Sequence, residues 1–212
     1  VTIGGTEMGT YTLGPSGSVF KLYPGVADGP LVVSSDAGAK IIASLYELRR
    51  EKSGVGWNGQ SEMMGLPSSQ LSDKYLIPIY FGDPSYLTLD AQVFIANADT
   101  VTTDIAVRIG GTPKGTYTLQ PNTSQVLRYP VDGAVEISSS NGANIIASLN
   151  QFRRLNNTGP YTGVAQSMAL PDDNISNIYV MPRYDYSNPA QLYDAVLLAN
   201  VDTVSRDITV TI

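Results

Sequence analysis

The 212-residue chain contains neither cysteine nor histidine. Disulfides, thiolate nucleophiles and imidazole metal ligands are thereby removed, as is the side chain that most often moves protons near neutral pH. Thirteen lysines and arginines stand against nineteen acidic residues, a formal net charge of −6. The basic footprint that draws proteins to phosphate backbones is missing, so nucleic acid is not an expected partner. No apolar run approaches the roughly 20 residues of a membrane-spanning helix, and no basic segment followed by an apolar stretch marks a secretion signal. What is present is a hydrophobic content of 42%, enough for a packed core, and thirteen tyrosines beside a single tryptophan.

The chain repeats itself. V-T-I-G-G-T at residues 1–6 returns as V-R-I-G-G-T at 107–112, and G-T-Y-T-L at 9–13 returns at 115–119. G-A-K-I-I-A-S-L at 38–45 is answered by G-A-N-I-I-A-S-L at 142–149, and Arg49-Arg50 by Arg153-Arg154. Leu66-Pro67 maps to Leu170-Pro171, and Tyr75, Pro78 and Tyr80 map to Tyr179, Pro182 and Tyr184. The length suits two modules of about 100 residues, expected at 1–89 and 90–191, followed by linking strands at 192–212.

Within each module, short runs of valine, isoleucine, tyrosine and threonine are punctuated by glycine, proline, asparagine and aspartate. That is the pattern of an all-β, immunoglobulin-like sandwich. Ile105, Val107 and Ile109 alternate with Ala106 and Arg108 as a half-buried strand requires. Strands are expected at 11–13, 19–23, 31–34, 41–48, 75–80 and 93–96, with counterparts in the second module. Gly4-Gly5 and Gly110-Gly111 mark turns. Ile41, Leu45 and Leu48, like Ile145, Leu149 and Phe152, are also spaced as on a helix face, but paired β-branched residues after a glycine favour a strand.

Candidate chemical sites reduce to structural explanations. Ser34-Ser35-Asp36 and Ser138-Ser139-Ser140 offer hydroxyls without an activating base. Asp172-Asp173 is matched by Ser68-Ser69, so a shared carboxylate pair is excluded. Tyr75, Tyr80, Tyr179 and Tyr184 are candidate glycan-contacting rings, although tyrosines flanking a strand proline also pack in bulges. Asp99, Asp104, Asp202 and Asp207 recur in loops that would suit calcium, but no dense ligand loop surrounds them. Asn122, Asn156 and Asn174 fit the N-glycosylation pattern. No cofactor, metal site or catalytic residue is expected, and the chain reads as a non-enzyme.

The ends carry the remaining signal. Residues 192–212 repeat 89–109, whereas residues 1–3 match only the last three residues of that segment. The first module therefore lacks a counterpart of residues 90–106, and the tail holds a surplus copy at about 193–209. Its Val196, Leu197, Leu198, Ile208, Val210 and Ile212, together with Val1 and Ile3, are the expected assembly interface. Burying each such aliphatic side chain is worth roughly 1.5–3 kcal/mol. The tail of one copy completing the next is strand addition of the donor-strand type; the same pattern fits a continuous tandem repeat along one longer polypeptide.

The combination G-x-Y-T-L, G-A-x-I-I-A-S-L, Y-x-x-P-x-Y and A-N-x-D-T-V resembles the tandem β-sandwich repeats of large secreted, cell-surface proteins of filamentous bacteria. The arrangement of the ends resembles that of donor-strand-complemented prokaryotic filament subunits. The resemblance implies an extracellular or cell-surface structural protein whose partners are other copies of itself. The alternative is a carbohydrate-binding surface adhesin module, with glycans as partners.

Overall fold

The computed structural model describes residues 1–50, 57–85, 89–154, 161–185, 187 and 195–211. Among them the chain is almost wholly β, with three single-turn 3₁₀ segments and no α-helix. Five strands come first: β1 (Thr2–Ile3), β2 (Thr6–Glu7), β3 (Leu31–Val32), β4 (Ser44–Arg50) and β5 (Trp57–Met64). Nine follow: β6 (Lys74–Phe81), β7 (Leu89–Asn97), β8 (Thr103–Ile109), β9 (Thr112–Leu119), β10 (Ser124–Leu127), β11 (Asp132–Ser139), β12 (Ile145–Arg154), β13 (Tyr161–Met168) and β14 (Leu170–Pro171).

The later nine form one closed sandwich of two antiparallel sheets, ordered β10-β7-β12-β13 and β14-β6-β11-β8-β9. The alternation read in the sequence directs its packing. Along β8, Thr103, Ile105, Val107 and Ile109 face inward while Asp104 and Arg108 face out. They meet Tyr75, Ile77 and Tyr80 of β6, Val93 and Ile95 of β7, Val135 and Ile137 of β11, and Ile145 and Leu149 of β12 in one hydrophobic core. Pro78 lies where the β6–β11 register shifts between Gly133 and Val135, a bulge that accommodates its missing N–H. Gly110 (φ +57°) and Gly111 (φ +76°) make the β8–β9 turn in the left-handed region.

The sandwich thus begins at Lys74, before the 89/90 boundary expected from the repeat, and takes β6 into the same sheet as β11 and β8. The segment with ambiguous spacing is a strand in both copies, β4 and β12. In the first 67 residues, β2-β1-β3 form a small sheet and β4-β5 a hairpin. That hairpin rests on β13. The Gln166 N–H donates to Ser61 Oγ at 2.8 Å, and Asn150 Nδ2 and Gln166 Nε2 donate to the Glu47 carboxylate at 2.8 and 2.9 Å.

Two expected strands do not form in the first repeat: residues 11–13 and 19–23 have no strand structure, although in the second β9 covers 117–119 and β10 takes in 125–127. Their partners explain the difference. Residues 117–119 of β9 pair with Thr103–Ile105 of β8, and Ser124–Leu127 pairs with β7. Residues 1–67 contain no copy of those partner residues, and a strand does not persist without a ladder to satisfy its backbone.

Candidate assembly site

The closed sandwich shows how β6, β7 and β8 serve the strands around them. β7 lies between β10 and β12, β8 between β9 and β11, and β6 beside β11. Residues 1–67 repeat residues 107–171, what remains when β6, β7 and all but the last three residues of β8 are taken away, and they repeat its geometry. Ile3 pairs with Thr6 and Leu31 as Ile109 pairs with Thr112 and Val135. The Gly4 N–H donates to the Pro30 carbonyl at 3.1 Å, as Gly110 donates to Ala134 at 2.9 Å. Gly65 donates to Ala43 at 2.9 Å, as Ala169 donates to Ala147 at 3.0 Å. The Tyr23 hydroxyl meets that of Tyr11 at 3.3 Å, and Tyr129 meets Tyr117 at 2.9 Å. Burial and the Tyr117 hydroxyl push the Tyr129 phenol upward; the Tyr11 hydrogen bond raises Tyr23.

Residues 178–211 repeat 74–108, but among the described residues they form no strand. One piece of local structure is nevertheless in place. In the β7–β8 turn, Asn97 Nδ2 donates to the Val101 carbonyl at 2.8 Å and Asn97 Oδ1 accepts from the Asp99 N–H at 2.9 Å. In the tail, Asn200 Nδ2 donates to Val204 at 2.8 Å and Asn200 Oδ1 accepts from Asp202 at 3.0 Å. Asp99 and Asp202 each take the next backbone N–H, from Thr100 and Thr203. Backbone hydrogen bonds from Asn144 and Thr100 hold the Asp99 carboxyl below its usual range, and Arg206 does so for Asp202.

Asn97 makes one further bond, from Nδ2 to the Leu119 carbonyl at 3.1 Å, and is fully buried. Asn200 is exposed. Replacing Asn97 by alanine is expected to cost about 2–4 kcal/mol, since it removes three hydrogen bonds and strands a buried carbonyl. Asn200→Ala is expected to leave the melting of the unassembled chain unchanged. Urea titration of the two variants checks the contrast.

Side-chain burial separates the copies in the same way. Ile137 is 0% exposed and its counterpart Val33 40%; Ile145 is 0% and Ile41 46%. Tyr75 is 0% and Tyr179 57%; Ile105 is 0% and Ile208 52%. Both ends therefore expose side chains whose equivalents form the core.

Of the expected interface residues, Leu197, Leu198, Ile208 and Val210 are exposed, while Val1, Ile3 and Val196 are half-buried. Ile212 lies outside the described residues, as does Asn156. Asn122 is exposed at a positive-φ turn position and Asn174 is exposed in a 3₁₀ turn. Tyr75 and Tyr80 correct the glycan expectation at those positions: their rings are inside the core, which leaves no face for a sugar. Burial raises the Tyr75 phenol to about 12. Tyr179 and Tyr184 are exposed. The loop serines act locally: Ser35 and Ser139 Oγ donate to the carbonyls of Ala39 and Ala143. Among the described residues no three acidic side chains converge as a metal site, and no helix is long and apolar enough to cross a membrane.

Residues 178–185 are what sequence reasoning missed. Their Y-x-x-P-x-Y motif was visible, but only the pairing of β6 with β11 shows that this stretch belongs with the strands after it.

No family model matches the chain, and neither does any curated protein sequence. Among solved structures, the crystal structure of Thermotoga maritima 1070 is similar over 48% of this chain and 95% of its own, with 16% identity and a TM-score of 0.36. A likeness of that size carries no argument about function.

Proposed function

We propose that this chain is a structural subunit of an extracellular filament or surface layer, assembling head to tail through β-strands. The tail of one copy completes the sandwich left open by residues 1–67 of the next. The observation that carries this reading is reciprocal: the head exposes the inner faces that β6–β8 cover in the closed sandwich, and the tail is a second copy of β6–β8. Among the described residues no ladder joins the two ends of the chain. Head and tail are different surfaces, so each union leaves a free head and a free tail, and the assembly extends into a filament unless its rotation closes a ring. Strand exchange between separate chains and succession of repeats along one polypeptide use the same complementarity. The subunit has no catalytic task in either case.

The second reading, a carbohydrate-binding surface adhesin, is supported by the exposed rings of Tyr179 and Tyr184. Their flanking Val180 and Met181 are exposed as well, which fits a strand awaiting a core better than a sugar platform. Sedimentation and electron microscopy over a rising concentration series test the choice. Multimers and fibres are expected; a chain that stays monomeric throughout and binds glycans through Tyr179 and Tyr184 overturns the filament reading.

A further inference from the structure

We infer that a neighbouring copy donates three strands, drawn from residues 178–185 and 195–209, and that Tyr184 and Asn200 set their register. This deepens the reading above and rests on it. A donor of the last two strands alone, 192–212, fills the places of β7 and β8 but leaves that of β6 empty. In the closed sandwich β6 supplies Tyr75, Ile77 and Tyr80 to the core. Within this chain β6 is committed there, so the position beside β3 in the head falls to the other copy of its sequence. The head is ready for it: in its sheet, ordered β2-β1-β3, β3 is the edge strand.

The register follows from the closed sandwich. Glu136 lies opposite Leu76 and Val135 opposite Ile77, which places Val32 of the acceptor beside Val180 of the donor and Leu31 beside Met181. Ser148 lies opposite Phe94, which places Ser44 beside Leu197. The Tyr80 hydroxyl donates to the Ala91 carbonyl at 2.9 Å and accepts the Tyr129 N–H at 2.8 Å. By the same geometry the donor's Tyr184 takes the N–H of the acceptor's Tyr23. Asn200, its turn already formed, supplies Nδ2 to the carbonyl of the acceptor's Leu13, as Asn97 does to Leu119. The donor is needed only to Thr209, because Thr2 and Ile3 of the acceptor already hold the pairings of Arg108 and Ile109.

Cysteine pairs test the inference in the full chain, where no native thiol interferes. Residues directly opposite on antiparallel strands are about 4.5–5.5 Å apart at Cα, within disulfide range. Val32, Val180, Ser44 and Leu197 are all exposed, so the substitutions spare the core. One variant carries V32C with V180C, the other S44C with L197C, and both are oxidised and run on denaturing gels. Interchain ladders from both are expected. A ladder from S44C/L197C alone overturns the three-strand donor and leaves head-to-tail assembly standing. No ladder from either, or only an intrachain bond, overturns both.

Discussion

Deletion of residues 195–212 is expected to abolish the proposed polymerisation and to leave the melting of the closed sandwich unchanged, to within about 0.5 kcal/mol. The two halves of this expectation have separate causes. Assembly is lost because the deleted stretch carries the apolar residues matching β7 and β8, among them Leu198 and Ile208, which are exposed in the free chain. A head without them keeps its apolar faces but finds no copy of β7 and β8 to cover them. Sandwich stability is kept because, among the described residues, the core cluster runs from Tyr75 to Ala169 and draws none from 195–211. Electron microscopy reads the first half and thermal or urea denaturation the second. Fibres formed by the truncated chain would sink the terminal-strand mechanism.

Alanine at Ile137 destabilises the unassembled chain by about 2–5 kcal/mol, whereas alanine at its repeat counterpart Val33 costs less than about 1 kcal/mol until assembly takes place. Ile137 is sealed between the sheets of the closed sandwich, and its removal leaves a cavity among Tyr75, Val107 and their neighbours. Val33 is 40% in solvent, so little packing is lost in the free chain. Once a donor covers it, the same truncation opens a cavity in the joint, and the concentration needed for polymerisation rises by tenfold or more, equivalent to about 1.4 kcal/mol. Denaturation curves for the two variants, followed by a sedimentation series for V33A, check both parts. Equal destabilisation of the free chain by the two substitutions would show that the head is already closed.

Much of the fold is legible in the sequence because its signals are local. Alternation along residues 103–109 becomes β8, the Gly110-Gly111 pair makes its turn, and the proline at 78 lies in a bulge. Of the strand chosen for residues 41–48, residues 44–48 lie in β4, and its whole counterpart, 145–152, lies in β12. The expected strands that fail to form in the first repeat share one cause. Residues 11–13 and 19–23 have the composition of their counterparts in β9 and β10, yet remain irregular, because β-structure needs a partner and no propensity supplies one. Tyr80 looks like an exposed aromatic platform in sequence; its burial depends on Ala91 and Tyr129, which no local pattern brings together.

The repeat, the surplus copy at the tail and the strand character of β6 to β12 were legible in the sequence alone, since periodicity and turn chemistry are written in neighbouring residues; β5 and β13 were not foreseen. Tertiary structure decided where the sandwich begins. A repeat has no intrinsic phase: the sequence reads equally well cut at 89 or at 73. The phase is fixed by β6 pairing with β11 across the intervening strands, a long-range contact made because Tyr75, Ile77 and Tyr80 find their core among residues 91–149. That pairing starts the sandwich at Lys74 and leaves residues 178–185, the repeat of β6, outside it.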